Sequence, residues 1–241
     1  MTSDPEEEQT FPPSIERETL RVFYSRYPAG DTEQADIVVF DPATGAVSTL
    51  LATPFDESAP RLSPDGTTIV YASNAEGEYD IWVMGVDGTK PTKLTTNPGR
   101  DANPSWSPDG SQIAFRASNE DNSDIWVMNA DGSGLERLTD DPAGDFDPVF
   151  SPDGTKIAFT SKRSGNFDIW SMNADGSDPV NLTNHPASED YPSWTTDGGG
   201  ITFTSNRFSE RIWVMRADGS DQTLFTTAGP SVNGTAVGPI S

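Results

Sequence analysis

One tetrapeptide recurs along the chain at a fixed spacing. Its four copies lie 44 residues apart, and the last copy is degraded: Ser63–Gly66, Ser107–Gly110, Ser151–Gly154 and Thr195–Gly198. A repeat of this regularity indicates one small structural unit copied along the chain. Periods in the forties are typical of the four-stranded blades of β-propellers.

The residues between these tetrapeptides repeat in step and indicate short strands. One copy contains four apolar segments separated by polar turns, and two of its turns carry Asp-Gly pairs, Asp109-Gly110 and Asp131-Gly132. Asp-Gly favours hairpins because tight hairpin turns need positive φ. No segment shows a sustained apolar period of 3.6 residues, so we predict an all-β fold.

The number of copies predicts five blades. Four copies are complete, at residues 53–96, 97–140, 141–184 and 185–227, whereas residues 19–52 hold only three strands of a fifth. Residues 231–241 contain Val237-Gly238-Pro239 close to the phase of the missing strand. An open row of blades would leave sheet edges exposed. We therefore predict a five-bladed β-propeller of four-stranded antiparallel blades over residues 19–241, closed by the C-terminal strand pairing into the N-terminal blade. Residues 1–18 are then a flexible, acidic, Pro-containing tail.

Composition excludes several classes of function. The chain has 241 residues and a net charge of −23, which repels a phosphate backbone and excludes a nucleic-acid partner. No apolar run reaches the roughly 18 residues of a membrane span, so we expect no membrane insertion. The chain has no cysteine, which excludes thiolate catalysis and disulfides. The N-terminus shows no export signal.

The repeat resembles a known family. The pattern Pro104-x-Trp106-Ser107-Pro108-Asp109-Gly110, followed by residues 113–115 and 124–132, resembles the PD40 (WD40-like) repeat of TolB-like propellers. The resemblance covers roughly residues 19 to 240 and implies the propeller fold. It also implies that the first strand of each blade lines a central channel, and that the protein is periplasmic or extracellular.

A second repeated series carries large aromatic rings. Trp82, Trp126 and Trp170 keep the 44-residue step, and Trp213 comes one residue early. A large ring at equivalent positions of one strand fills space between neighbouring twisted sheets. We interpret this series as structural packing and not as a platform for a ligand.

Antiparallel connectivity separates the loops into two groups. The tight Asp-Gly turns fall on one face of the blades, and the longer, varied loops fall on the other. Binding residues usually lie on loops of the second kind. Its aromatic residues, Tyr27, Phe55, Phe146 and Tyr191, are candidate ligand contacts.

An acidic residue precedes the first strand of four copies. Glu57, Asp101, Asp145 and Glu189 occupy equivalent positions, and Asp147 and Asp190 lie close to two of them. By the resemblance, these carboxylates ring the mouth of the channel. They would repel each other unless a cation, a basic ligand or solvent screens them. We expect them to bind a hard cation such as Ca²⁺, with Asp101, Asp145 and Glu189 as ligands, or a basic group. The alternative is four solvated carboxylates with nothing bound.

The sequence favours a binding protein over an enzyme. Its only histidine is His185, in a loop, and it contains no Gly-x-Ser-x-Gly motif. We predict a monomeric, noncatalytic binding module that holds a protein, a peptide or a small cationic ligand at the loop-rich face and the acidic channel mouth. The alternatives are a carboxylate-based carbohydrate-active enzyme, since two acids suffice for that chemistry, and a structural propeller domain of a larger protein.

Overall fold

A computed structural model of the protein describes residues 14–16, 19–28, 34–119 and 122–225. Every regular element within these ranges is a β-strand, as predicted. Twenty strands form five four-stranded antiparallel sheets, and strands adjacent in the chain are neighbours in each sheet. None of the described ranges contains a helix long and apolar enough to cross a bilayer.

The strands follow one another in groups of four. The first sheet contains β1 (Ser14–Ile15), β2 (Val22–Arg26), β3 (Asp36–Asp41) and β4 (Ala46–Leu51). The second contains β5 (Glu57–Leu62), β6 (Thr68–Ser73), β7 (Asp80–Gly85) and β8 (Thr92–Lys93). The third contains β9 (Arg100–Trp106), β10 (Gln112–Ser118), β11 (Ser123–Asn129) and β12 (Glu136–Arg137). The fourth contains β13 (Asp145–Phe150), β14 (Lys156–Ser161), β15 (Asp168–Asn173) and β16 (Val180–Asn181). The fifth contains β17 (Glu189–Trp194), β18 (Gly200–Ser205), β19 (Arg211–Arg216) and β20 (Thr223–Leu224).

The chain divides into two compact units, Met1–Pro104 and Ser105–Ser241. The first unit holds the first two sheets and the start of β9. The second unit holds the rest of the third sheet and the fourth and fifth sheets.

The repeated tetrapeptide forms the tight turn between the first two strands of a sheet. In the fourth sheet the Ser151 hydroxyl donates to Asp153 Oδ1 at 2.6 Å and accepts a hydrogen bond from the backbone N–H of Lys156 at 2.9 Å. Gly154 follows with φ +72°, which glycine adopts at no steric cost. The predicted hairpin role of these Asp-Gly pairs is confirmed.

The second Asp-Gly turn also packs against the preceding sheet. Gly176 has φ +84°, and a Cβ at this position would lie 2.8 Å from the carbonyl oxygen of Leu138. A Cβ on Gly219 would lie 2.6 Å from the carbonyl oxygen of Leu182. Glycine is therefore required here both for the turn and for the close approach of two sheets.

The core of the second unit lies between adjacent sheets. One cluster joins the third and fourth sheets, with the half-buried Trp170 packed against it. Another joins the fourth and fifth sheets and includes Trp213. In the first unit Trp82 packs in the same way. The predicted packing role is confirmed for these three residues, whereas Trp126 is half-buried and pairs across the strands with Phe115.

The first sheet corrects two predictions. Its fourth strand is β1, in which Ser14 pairs with Phe23 and Ile15 with Val22. We expected residues 231–241 to supply this strand and residues 1–18 to be a tail. An ion pair of 2.6 Å between Glu16 and Arg21 joins the ends of the β1–β2 connection, where the other sheets use the repeated tetrapeptide. Residues 231–241 lie outside the described part of the chain.

Substituting Gly176 should show how strongly the fold depends on sheet contact. Gly176→Ala forces a residue with a side chain into an unfavourable φ and places its methyl group against the Leu138 carbonyl oxygen. We therefore expect the free energy of unfolding to fall by about 2–4 kcal/mol. Gly66→Ala is the matched control, because Gly66 has φ +74° and its new methyl group would have no neighbouring atom within 4 Å. It should lose only about 1–2 kcal/mol. Equal losses in urea unfolding would contradict the packing role of Gly176.

Trp213 and Phe208 give a second pair of variants. The two rings stack at 6.2 Å between centroids, but Trp213 is 9% exposed and Phe208 is 83% exposed. Trp213→Ala empties a core position and should cost about 3–5 kcal/mol. Phe208→Ala changes a surface residue and should cost less than about 1 kcal/mol. Thermal and chemical unfolding measure both, and a stable Trp213→Ala would rule out the packing role.

Candidate functional site

The first strands of four sheets share a local backbone distortion beside the predicted acidic residues. Two positions after each acid stands a residue in the left-handed region, with φ between 52° and 55°: Ala59, Asn103, Asp147 and Tyr191. The strand register shifts at this point in the second, fourth and fifth sheets. Such bulges redirect side chains, and strained residues concentrate at functional sites. The four positions are 44 residues apart, but their residue types differ and did not predict the distortion.

The four predicted acidic residues lie inside the protein. Glu57, Asp101, Asp145 and Glu189 are each at most 1% exposed. The alternative of solvated carboxylates is therefore wrong for these side chains. One oxygen of each carboxyl group, among the described residues, has no hydrogen-bond partner: Glu57 Oε2, Asp101 Oδ2, Asp145 Oδ1 and Glu189 Oε2.

In the second unit two arginines pair with the buried acids. Arg163 Nη2 lies 2.7 Å from Asp145 Oδ2, and Arg207 Nε lies 3.0 Å from Glu189 Oε1. Burial raises the pKa of both carboxyl groups, and the guanidinium groups oppose this rise. The arginines are 44 residues apart in the sequence, and this spacing was the signal that could have identified them.

In the first unit the equivalent acids have only neutral partners at short range. Glu57 Oε1 accepts a hydrogen bond from the Ser73 hydroxyl at 3.4 Å, and Asp101 Oδ1 accepts one from Asn97 Nδ2 at 2.9 Å. Burial raises the pKa of Glu57 to about 7 and that of Asp101 to about 6. These two groups are therefore partly protonated near neutral pH.

The expected metal ligands do not form a metal-binding group. No cluster of three or more His, Cys, Asp or Glu side chains in the described ranges is arranged to hold an ion. Asp145 and Glu189 each bind an arginine. The Ca²⁺ site expected from the sequence stays a prediction.

Half-buried aromatic and acidic residues adjoin the buried acids of the second unit. We call Phe146, Asp147, Phe167, Asp190 and Tyr191 the aromatic–acidic surface. Phe146 and Phe167 meet edge to face at 5.6 Å between centroids. Burial raises the pKa of Tyr191 to about 12. It also raises that of Asp190 to about 7, with a further contribution from the charge of Asp147.

Lys162 lies at the edge of this surface. Its ammonium group is 4.4 Å from the ring centroid of Phe167 and 5.6 Å from that of Phe146. These are cation–π distances. The guanidinium carbon of Arg116 also lies 5.7 Å from the Phe146 centroid, so the surface already holds two cations against aromatic rings.

The other predicted contact residues lie in the first unit. Phe55 is 39% exposed in the loop before β5, and Tyr27 is half-buried directly after β2. They belong to a different unit from Phe146 and Tyr191.

The single histidine makes local contacts in its loop. His185 Nδ1 accepts a hydrogen bond from the backbone N–H of Ala187 at 3.0 Å and lies 3.7 Å from Glu189 Oε1. Burial lowers the pKa of His185, with Arg207 as the second cause. The neutral ring therefore serves as a hydrogen-bond acceptor within its loop.

Glu57→Gln tests the raised pKa of Glu57. A carboxyl whose folded pKa lies above its unfolded value stabilises the fold below the unfolded pKa, and this stabilisation is lost as pH rises through the folded pKa. We expect the wild type to lose about 2–3 kcal/mol relative to Glu57→Gln between about pH 4.5 and pH 7. Urea unfolding across this range measures the difference. Glu78→Gln, at an exposed position, should follow the wild type. Parallel profiles for the wild type and Glu57→Gln would contradict the shift.

Family models match two overlapping parts of the chain. The model described as the TolB beta propeller domain matches residues 6–141, and that of the Tricorn protease N-terminal beta propeller domain matches residues 121–229. No curated protein matches.

Solved structures show the same fold at low identity. A structure from Agrobacterium tumefaciens assigned to TolB has a TM-score of 0.79 and 23% identity, over 90% of this chain and 80% of its own. TolB from Acinetobacter baumannii has a TM-score of 0.77 and 20% identity, over 89% of this chain and 53% of its own. Oligogalacturonate lyase from Vibrio parahaemolyticus has a TM-score of 0.67 and 12% identity, over 93% of this chain and 66% of its own. These likenesses and the five sheets confirm the predicted five-bladed β-propeller class. The first family model spans more than half of the sequence, and the chain belongs to the TolB β-propeller domain family.

Proposed function

We propose that the protein is a noncatalytic binding module that holds a basic peptide segment of a partner protein at the aromatic–acidic surface. The observation that carries the proposal is the placement of buried, incompletely partnered carboxylates next to half-buried aromatic rings. Asp145 and Glu189 begin β13 and β17, the same two strands that carry Phe146, Asp190 and Tyr191.

The buried carboxylates favour a cationic ligand. A buried polar atom without a partner costs about 1–3 kcal/mol, and more if it is charged. Asp145 Oδ1 and Glu189 Oε2 are such atoms. The neighbouring charges of Asp147 and Glu189 disfavour ionisation of Asp190. A lysine or arginine side chain would relieve this repulsion and supply several hydrogen-bond donors.

The aromatic residues favour a peptide over a bare ion. Aromatic side chains provide much of the contact area in protein interfaces. Phe146, Phe167 and Tyr191 are half-buried and leave part of each ring accessible. Together with the pairing of Asp145 and Glu189 with guanidinium groups, this supports a ligand that has both apolar and cationic parts.

The carbohydrate-active alternative has less support. An acid and a base need unlike environments, but Asp145 and Glu189 are similarly buried and each pairs with an arginine. The likeness to a lyase shows the fold only. We further propose that the module acts as a monomer in the periplasm or outside the cell, as the family resemblance suggests.

Calorimetry with capped hexapeptides tests this function. Each peptide carries one arginine and one aromatic residue, and its matched analogue carries citrulline in place of arginine. We expect the arginine peptides to bind at least about tenfold more tightly, with affinity falling as salt rises. Asp190→Asn and Tyr191→Ala should each weaken binding about tenfold.

The exposed residue Glu136 in β12 supplies the control. Glu136→Gln changes the net charge by the same amount as Asp190→Asn and should leave the affinity unchanged. Equal binding of the citrulline peptides, or an equal effect of Glu136→Gln and Asp190→Asn, would contradict the proposed site.

A further inference from the structure

A cavity of about 710 Å³ lies in the second unit, between the fourth and fifth sheets. It is lined by the tight turns of both sheets and by parts of β15, β16 and β17. Its volume falls within the range of small-molecule sites. None of its lining residues belongs to the aromatic–acidic surface, so a ligand in this cavity would be separate from the peptide proposed above.

One departure from the repeat places a smaller side chain at this part of the sheet interface. Ser171 in β15 stands where β7, β11 and β19 have Val83, Val127 and Val214. Between the third and fourth sheets, Val127 is buried in the core cluster beside Phe150. Between the fourth and fifth sheets, the equivalent position holds the smaller serine.

The Ser171 side chain also brings a hydroxyl group to the cavity. Ser171 is 6% exposed and lines the cavity. Its neighbours across the strands are Ala158 and Val180, which offer only apolar side chains. A ligand donor or acceptor in the cavity would therefore find a hydroxyl group to pair with at Ser171.

The rim of the cavity is acidic. The rim contains three aspartates, Asp153, Asp197 and Asp218. Oδ1 of each aspartate accepts a hydrogen bond of 2.6 Å from a hydroxyl group in its own turn. The side chains of Ser151, Thr195 and Ser220 donate these hydrogen bonds, which hold the pKa of each aspartate below its usual range. Lys156 also lines the cavity, and its ammonium group donates to Asn173 Oδ1 at 3.2 Å. Three carboxylates against one ammonium group leave the rim negative.

Apolar groups form the walls. Leu182 and Trp194 line the cavity and are each 8% exposed. The indole N–H of Trp194 is used within the protein, where it donates to the carbonyl of Val149 at 3.2 Å. The Trp194 ring therefore offers the cavity apolar contact and cation–π attraction.

We propose that this cavity binds a small organic ammonium compound, with its apolar body against Trp194 and Leu182 and its cationic end at the aspartate rim. The Ser171 hydroxyl accepts a hydrogen bond from the ammonium group or from a polar group on the body. The negative rim excludes anionic analogues of the same shape.

Calorimetry on the full chain with phenethylammonium chloride tests the cavity. The probes 2-phenylethanol and phenylacetate have the same ring and chain but are neutral and anionic. We expect phenethylammonium to bind with a Kd of about 1 mM or lower, 2-phenylethanol at least about tenfold more weakly, and phenylacetate not at all.

Three variants locate the site. Ser171→Val restores the residue of the other repeats, so it should abolish binding while the melting temperature stays the same or rises. Asp218→Asn should weaken binding about three- to tenfold. Asp175→Asn changes the same kind of turn outside the cavity, where Asp175 Oδ1 accepts from the Ser177 hydroxyl at 2.6 Å, and should leave the affinity unchanged.

Three results would overturn the proposal: no binding of phenethylammonium to the wild type at 10 mM (about ten times the expected Kd), equal binding of the neutral probe, or unchanged binding in Ser171→Val. Because the peptide ligand uses other residues, Ser171→Val should still bind the arginine hexapeptides.

Discussion

The burial of each sheet against its neighbour is the contact on which the structure of both units depends. A four-stranded sheet cannot bury its apolar face alone, so each repeat must contact the next. In the second unit Gly176 and Gly219 lie on the backbone of the preceding sheet, and Trp170 and Trp213 fill the space between sheets. The repeated residues satisfy this requirement, which leaves the positions that differ between repeats available for binding.

The buried carboxylates are a stability cost that the packing must offset. Each stands at the start of a first strand, two residues before a residue with positive φ. Desolvation of a carboxylate and left-handed backbone are both unfavourable, and proteins keep such features mainly where they serve binding or catalysis. The two units compensate differently. Arginines pair with Asp145 and Glu189, whereas Glu57 and Asp101 are partly protonated near neutral pH.

The sequence predicted the elements that repeat and missed those that do not. The period and the Asp-Gly turns were sufficient for the strands, because turn chemistry and local alternation determine them. Strand β1 was missed because an ion pair between Glu16 and Arg21 replaces the repeated tetrapeptide there. The candidate site was predictable in position but not in environment, since the phase of the repeat placed acids at the starts of the strands without indicating their burial. Arg163 and Arg207 keep the 44-residue step, but Ala75 and Asn119 are their equivalents in two other copies, so the signal covers only two of the repeats.

If the second unit holds acidic groups ready for a cationic ligand, the titration of Asp190 must respond to that ligand. Carbon-13 NMR of the side-chain carboxyl can follow Asp190 in the free protein and with an arginine hexapeptide bound. We predict a pKa of about 7 in the free protein and a fall of at least about one unit in the complex, because the ligand's charge favours the carboxylate. An unchanged titration of Asp190 in the presence of saturating peptide would contradict the proposed binding of a cation at this surface.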